Sequence, residues 1–335
     1  MNYDFGSISR SRRFLMGIAA LWIIAYHSKI FFTASDPEGI AHFFHVIIYN
    51  VYQIKTVGQI GVDIFLFLSA VGLYYSMEEN HDPLSFYKRR IIRIMPEYLL
   101  VGILWELYLH ESFGSSLANL CGLSFFTKGY RGYWFFVLIF FLYLLFPFMY
   151  RMVKKYGNIV VMIPLLLMLV LNYELTNASS VIYTNIEIAL RRVPVFLIGL
   201  YIAPYVKQGV KVKSFLIIPF AMAGFLLSYR YLIHHDEIEL AYRYVLGLGG
   251  SFLIIILSYL HSLLEKKIDV IRVVETCGDH SMEYYLLYER LIYIFTVLIK
   301  NNVVLTVVCV TICFTLSVVL KRAHTKLCEK LDLIL

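Results

Sequence analysis

Charged residues are scarce in this chain of 335 residues. Only 16% of its residues are charged, whereas a typical soluble domain has about a quarter. Sixty per cent of the residues are hydrophobic, and the mean hydropathy is +0.71. A soluble protein of this composition would lack the polar surface that water requires. The scarcity of charge therefore excludes an ordinary soluble enzyme and a disordered chain, and it indicates a polytopic membrane protein.

Cysteines are also few, and their spacing excludes the usual cysteine-based sites. None of the five cysteines forms a C-x-x-C pair, and no Cys/His cluster has the spacing of a zinc site. Cys309 and Cys313 lie four residues apart in an apolar run, which predicts packing on one helix face. Gly/Ser linkers, tandem repeats and low-complexity tracts are likewise missing. We therefore expect no metal, no disulfide scaffold, and one integral membrane domain over residues 1–335 without a fused soluble domain.

Long apolar runs dominate what remains. A membrane-spanning helix needs about 20 mostly apolar residues. Ten runs approach or reach this length, at residues 14–33, 57–76, 91–110, 132–150, 158–173, 190–206, 213–233, 243–262, 281–299 and 302–320. A shorter run at 117–127 is expected at the membrane interface. The sequence predicts an all-α, polytopic transmembrane bundle of about ten helices.

Basic residues cluster in every second loop between these runs. The first cluster holds Arg10, Arg12 and Arg13, and the last holds Lys321, Arg322, Lys326 and Lys330. Lys and Arg collect in cytoplasmic loops of membrane proteins. The pattern predicts that both termini are cytoplasmic. It also accounts for the net charge of +7 by topology, so nucleic acid is not an expected partner.

A histidine and a carboxylate lie at matching depths in the first two runs. His27 and Asp63 each lie about six residues from the outer end, or roughly 9 Å below the surface at 1.5 Å per residue. A carboxylate can orient an imidazole and stabilise its protonated form, as a general base requires. The alternative is that each residue only bonds a neighbouring helix. Glu106 has a similar depth in the third run and is a candidate substrate-binding residue.

Two arginines at the inner end of the third run form a candidate anion site. Arg90 and Arg93 are three residues apart and share one helix face. Guanidinium groups bind phosphates through two parallel hydrogen bonds. A positive-inside anchor explains some of this charge, but Arg93 and Pro96 intrude on the apolar run. The pair therefore predicts a binding site for a phosphate-bearing molecule.

Further candidates lie near outer helix ends. Arg191 and Arg192 contradict the charge rule there, so they are expected to bind an anionic or sugar acceptor, or to pair with Glu187. Trp134 is a candidate acceptor-binding residue, although an interfacial aromatic belt explains it equally well. Two mid-span residues, Glu289 and Arg290, are expected to pair with other helices.

Six stretches, taken in order, resemble the membrane acyltransferase-3 family. They are the helix from Arg13 to Ser28, the run GQIGVDIFLFLSAVGL from Gly58 to Leu73, Arg90 and Arg93 with Pro96, Trp134-Phe135 with Tyr143 and Pro147, Arg192 and Pro194 with Phe196 and Gly199, and Gly278 to Leu287. The resemblance covers residues 10–320. Some positions depart from the family pattern. Met16 occupies the place of an arginine eleven residues before His27, Ala70 replaces a glycine after Ser69, and Tyr288 replaces a histidine.

The resemblance implies transfer of an acyl group, often acetyl, from cytoplasmic acyl-CoA to a hydroxyl. Acyl-CoA would be a co-substrate rather than a permanently bound cofactor. The expected acceptor is a cell-envelope glycan or a lipid-linked sugar, and the expected location is the bacterial cytoplasmic membrane. His27 would act as the base or carry the acyl group transiently, Asp63 would support it, and Arg90 and Arg93 would bind the donor.

Two other functional classes fit parts of the pattern. A transporter or flippase could use the intramembrane His/Asp and Glu/Arg groups for proton coupling. A membrane sensor or partner subunit could share the fold, as in the membrane half of some amino-acid racemases. The order of the motifs favours the acyltransferase.

Overall fold

Helices form nearly all of the structure, a computed structural model that describes residues 2–28, 57–177, 181–235, 240–264 and 269–334. In chain order the elements are β1 (Asn2–Asp4), α1 (Gly6–Arg10), α2 (Arg12–His27), α3 (Ile60–Glu79), α4 (Pro83–Tyr108), α5 (Phe113–Leu120), α6 (Leu123–Lys128), α7 (Trp134–Tyr156), a 3-10 helix (Asn158–Val161), α8 (Met162–Asn177), α9 (Val181–Leu190), α10 (Val193–Gln208), β2 (Lys211–Lys213), α11 (Ser214–Leu232), α12 (Leu240–Leu264), α13 (Asp269–Asp279), α14 (Ser281–Thr296) and α15 (Asn302–Ile334). The predicted all-α, polytopic helical class is confirmed.

Each of the ten predicted spans overlaps a helix in its described part. Among the described residues, six segments are long and apolar enough to cross a membrane: Ile60–Glu79, Trp134–Tyr156, Asn158–Thr176, Ser214–Leu232, Ala241–Leu264 and Asn302–Lys330. Helices α2, α10 and α14 have 16 residues each, below the usual length of a span. The count of ten and the cytoplasmic termini stay predictions. Residues 29–33 of the first predicted span and the basic residues Lys29, Lys55, Lys266 and Lys267 lie outside the described residues.

Helix α3 lies at the centre of the bundle, packed against α2, α10 and α12. Glycines allow two of these helices to approach its backbone. A Cβ on Gly61 would lie 2.5 Å from the carbonyl oxygen of Ala19 on α2, and one on Gly199 of α10 would lie 2.6 Å from that of Phe67. Most of α3 is buried as a result, including Asp63. Small residues at helix crossings are typical of membrane bundles.

A second close crossing joins α2 to the short helix α13. A Cβ on Gly17 would overlap the carbonyl oxygen of Val274, and a Cβ on Gly278 would overlap that of Arg13. The crossing also carries an ion pair, because Arg13 Nε donates to Asp279 Oδ1 at 2.7 Å. The start of α2 is thus held against the junction of α13 and α14.

The N-terminal segment fixes the start of α2 from the other side. Strand β1 pairs antiparallel with β2. The hydroxyl of Tyr3 lies 2.8 Å from Ser258 Oγ, and Ser11 Oγ lies 2.9 Å from Nδ1 of His261, all of them on buried residues. Ser11 directly precedes Arg12, so these bonds to α12 set the position of the first arginine in α2.

Helix α4 is capped at its start and lacks one backbone hydrogen bond near its middle. The Asp82 carboxylate accepts hydrogen bonds from the backbone N–H groups of Leu84 and Ser85, as an N-cap residue does. Pro96 lacks the N–H that would bond the carbonyl of Ile92 four residues earlier. His324 Nε2 on α15 lies 3.1 Å from that carbonyl oxygen instead. Cys328 Sγ of α15 donates to the same oxygen at 3.6 Å, so this carbonyl joins α4 to the last helix.

Candidate functional site

Five lysine and arginine side chains line a cavity of about 280 Å³ between α2, α3, α4, α7, α13, α14 and α15. Arg12 and Arg13 come from the first turn of α2, Arg90 and Arg93 come from α4, and Lys321 comes from α15. We call this space the arginine cavity. Its opposite wall is apolar and aromatic, formed chiefly by α7. The structure thus brings Arg90 and Arg93 together, as the sequence predicts. It adds Arg12, which the sequence analysis treated only as a topology signal.

Three of the four arginines that line this cavity have no acidic partner among the described residues, whereas Arg13 pairs with Asp279. Within the part of the chain that the structure describes, no carboxylate oxygen lies within 4 Å of Arg12, Arg90 or Arg93. The Nε atoms of Arg12 and Arg90 are buried without a hydrogen-bond partner. Lys321 differs, because its Nζ lies 3.4 Å from Glu283 Oε1 and donates to the Asp279 carbonyl. Like charges that face one small space are unfavourable unless an anion binds between them.

A second cavity of about 350 Å³ adjoins the first. Arg12, Arg90, Arg93 and Gly72 line both spaces, so the guanidinium groups lie at their junction. Gly72 provides room for this arrangement, because a Cβ there would lie 3.2 Å from Arg12 Nη2. The geometry suits a ligand whose anionic groups lie between two organic arms.

A small pocket adjoins the arginine cavity between α2, α3 and α14. It has a volume of about 20 Å³ and shares Phe65, Ser281 and Tyr285 with the cavity. Its other walls come from α2 and α14, and it reaches Glu289. Glu289 therefore lies in the wall of a pocket that adjoins the arginine cavity.

His27 ends α2 and faces Glu289 of α14. Its Nε2 atom lies 3.1 Å from Glu289 Oε1, within hydrogen-bond reach. The side chains are 36% and 53% exposed, so a substrate can reach the pair. The expectation that Asp63 is the carboxylate beside His27 does not match this geometry, since the carboxylate at the imidazole belongs to Glu289. A depth calculation gives the height of a residue in the bundle but not the neighbour it faces.

Asp63 forms a buried ion pair with Arg192. Arg192 Nη1 donates to Asp63 Oδ2 at 2.9 Å, and the side chains are 1% and 3% exposed. The guanidinium also lies over the ring of Trp134, 5.4 Å from its centre. Gln59 links the pair to the end of α2, because it accepts from Arg192 through its backbone carbonyl and donates to Tyr26. The predicted site residues Asp63, Arg192 and Trp134 thus form one cluster. The cluster lies near the end of α2 but does not contact the His27 imidazole.

The other two predicted acceptor residues have protein partners. Arg191 Nη2 lies 3.1 Å from Glu187 Oε2, which is the pairing considered from the sequence. Glu106 accepts from Asn119 Nδ2 at 2.8 Å and from the Tyr133 hydroxyl at 2.9 Å. The side chains of Arg191 and Glu106 are both almost fully buried. Their role in acceptor binding stays a prediction.

Arg290 occupies the same region as Glu106. Its guanidinium lies 5.2 Å from the ring centre of Tyr133 and 5.6 Å from that of Trp105. It also donates to the carbonyl of Leu286 in its own helix. The aromatic faces of Tyr133 and Trp105 thus stabilise the Arg290 cation. These contacts agree with the expectation that Arg290 pairs with residues outside its own helix.

A further polar cluster beside the arginine cavity escaped sequence reasoning. Glu97 Oε1 lies 2.7 Å from His324 Nδ1, and both Glu97 and Glu283 are buried between α4, α14 and α15. Lys321 joins the cluster through Glu283. The only sequence signal was the position of Glu97 directly after Pro96, since the partners lie more than 180 residues away.

Comparison with known protein families identifies a match. A family model described as an acyltransferase domain, acyltransferase 3, matches residues 14–322, nearly the whole chain. No curated protein and no solved structure matches the chain.

Proposed function

Because this chain belongs to the acyltransferase-3 family, we propose that it moves an acyl group from acyl-CoA to a hydroxyl of a cell-envelope glycan or lipid-linked sugar. The observation that carries the proposal is the cluster of three arginines without acidic partners at the junction of two cavities. The family match favours group transfer over the transporter alternative. The arginine cavity and the His27–Glu289 pair have separate roles in the proposed reaction.

The donor fits the arginine cluster by the order of its parts. In acyl-CoA, phosphate groups lie between a nucleoside and a long thioester arm. Arg12, Arg90 and Arg93 lie between a cavity of about 350 Å³ and one of about 280 Å³. With the phosphates at the guanidinium groups, the nucleoside would occupy the larger space and the arm would enter the smaller. Each charge-assisted hydrogen bond would contribute roughly 1.5–3 kcal/mol.

The direction of the arm follows from the wall residues that the spaces share. Of the two cavities, the arginine cavity shares wall residues with the small pocket that Glu289 lines, so the thioester arm would extend that way. The arginine side would face the cytoplasm, where acyl-CoA is made, in keeping with the predicted topology. The His27 end would then face the opposite side of a bacterial cytoplasmic membrane, where envelope glycans are reached.

His27 is the proposed base, with Glu289 as its partner. Nε2 of one imidazole cannot both contact Glu289 and accept a substrate proton, so the acceptor hydroxyl must either displace Glu289 or approach Nδ1. The hydroxyl oxygen attacks the thioester carbonyl carbon, its proton moves to His27, and the carbon–sulfur bond breaks. The proton is finally returned to the CoA thiolate, so the overall reaction consumes none. Glu289 stabilises the imidazolium that forms in between.

Transfer from labelled acetyl-CoA to extracted envelope glycans tests the proposal. Purified protein in lipid nanodiscs is expected to place label on the glycan and to release free CoA. Arg93→Ala should weaken CoA binding, whereas Lys88→Ala removes a charge from the same helix outside both cavities and should leave binding unchanged. Equal CoA affinity in the unaltered protein and in Arg93→Ala would contradict the proposed donor site. Solute uptake without acyl transfer would support a transporter instead.

A further inference from the structure

Arg89 of α4 lines the cavity of about 350 Å³ but not the arginine cavity. It differs in this from Arg12, Arg90 and Arg93, which line both spaces. Arg89 and Arg93 are four residues apart, so they share a face of α4 and are separated by roughly 6 Å along its axis at 1.5 Å per residue. Arg89 therefore gives the larger cavity a positive charge at a position separate from the other three arginines.

The guanidinium group of Arg89 is only weakly bound within the protein. Its Nη2 atom donates to the backbone carbonyl and to Oγ of Ser76, but both distances are 3.4 Å, longer than a usual N–H···O bond. Among the described residues, no carboxylate oxygen lies within 4 Å of Arg89. A guanidinium has five N–H groups, and Arg89 is exposed, so most of its donors can reach a ligand.

Two separate positive positions in one cavity match a ligand with two separate phosphate groups. This step rests on the proposed function, in which the diphosphate of acyl-CoA binds at Arg12, Arg90 and Arg93. The ribose of CoA carries that diphosphate on its 5′ carbon and a phosphate monoester on its 3′ carbon. Because the ribose ring lies between them, the monoester cannot share the position of the diphosphate. Arg89 provides a second position in the same cavity.

We propose that Arg89, with the Ser76 hydroxyl beside it, binds the 3′-phosphate of the donor and so allows this enzyme to distinguish CoA from dephospho-CoA. Glu79 also lines the cavity, and its negative charge disfavours a phosphate at its own position. Arg89 determines the specificity for the nucleotide end of the donor and takes no part in the chemistry.

Competition binding with nucleotides tests this site, and two of the probes lack the thioester arm. Labelled CoA is bound to the purified protein in nanodiscs of zwitterionic lipid, so that anionic headgroups do not compete. It is then displaced by CoA, dephospho-CoA, adenosine 3′,5′-bisphosphate or AMP. Ion pairs of exposed residues contribute less than buried ones, so we expect the 3′-phosphate to strengthen binding by about five-fold in both pairs of ligands. The Arg89→Ala variant should reduce both ratios to near one.

Lys88→Ala is the matched control, because Lys88 carries the neighbouring positive charge on α4 and lines neither cavity. Its ratios should equal those of the unaltered protein, and ratios within one variant cancel any loss of folded protein. Equal affinity for CoA and dephospho-CoA, or ratios that Arg89→Ala leaves unchanged, would overturn the 3′-phosphate site alone. An equal fall of the ratios in Lys88→Ala would overturn it too, since it would indicate a general effect of charge. Failure of CoA itself to bind would overturn the proposed function and the site together.

Discussion

Removal of Arg12 should have opposite effects on ligand affinity and on the stability of the ligand-free protein. Arg12 lies with Arg90 and Arg93 at the junction of two cavities, and within the described residues none of the three has a carboxylate within 4 Å. In the absence of an anion, Arg12→Ala removes repulsion and the burial of a charge. A structural arginine would behave differently, since its loss would destabilise the free protein.

The expected loss of affinity follows from the bonds that a guanidinium makes to phosphate. One or two charge-assisted hydrogen bonds contribute roughly 1.5–3 kcal/mol each. At 1.4 kcal/mol per factor of ten, losing the equivalent of one such bond weakens CoA binding by about ten- to 150-fold. The Gly72→Ala variant should weaken binding by a smaller factor without changing charge, because its Cβ would lie 3.2 Å from Arg12 Nη2.

Two measurements on the same protein preparation check this prediction. Isothermal titration gives the dissociation constant for CoA, and thermal unfolding with and without CoA gives the stability of each state. CoA at 100 times its dissociation constant should stabilise the unaltered protein by about 2.7 kcal/mol, and the same concentration should stabilise Arg12→Ala far less. Lys88→Ala serves as the charge control. Unchanged CoA affinity in Arg12→Ala, or a ligand-free variant that is clearly less stable, would refute the reasoning.

Three further predictions concern the other parts of the site. His27→Ala should lower turnover by about 10²–10⁴ in a transfer assay while CoA affinity stays unchanged, and Glu289→Gln should cause a smaller loss; normal turnover in His27→Ala would exclude it as the base. Arg192→Ala should lower the free energy of unfolding by about 3–5 kcal/mol, because it leaves Asp63 buried and unpaired, and an apolar replacement of both residues should recover much of this loss in thermal unfolding. Gly278→Val should prevent the close approach of α13 to α2 and reduce the yield of folded protein in size-exclusion chromatography, so a well-folded variant would contradict the crossing.

Local sequence patterns predicted the helices because a membrane-spanning segment must satisfy its backbone hydrogen bonds within itself. A run of about 20 apolar residues must form a helix wherever it stands in the bundle, so its position can be derived without its neighbours. The same locality explains why Arg90 and Arg93 were found, since their spacing places them on one face of one helix. Arg12 was missed as a cavity residue because the positive-inside rule explained its charge fully.

Contacts between helices could not be derived in this way. The partner of His27 is Glu289 and that of Asp63 is Arg192, and both pairs join residues more than 120 positions apart. Their choice depends on the order and rotation of the helices, which glycine crossings such as the one at Gly61 determine. The sequence indicated that each buried charge needs a partner, but it held no signal for which one.

The hydrogen bond that Pro96 removes from α4 has a consequence for how the chain is assembled during synthesis. The carbonyl of Ile92 accepts from His324 and Cys328 instead, and both emerge from the ribosome more than 230 residues later. Until then the carbonyl must bond water or lipid headgroups, because an unbonded backbone group inside hydrocarbon costs several kcal/mol. The α4 segment should therefore stay close to the aqueous boundary, and α15 should draw it into its final position. Ribosome-stalled chains that end before residue 324 would keep Ile92 accessible to a water-soluble label, and full-length chains would protect it.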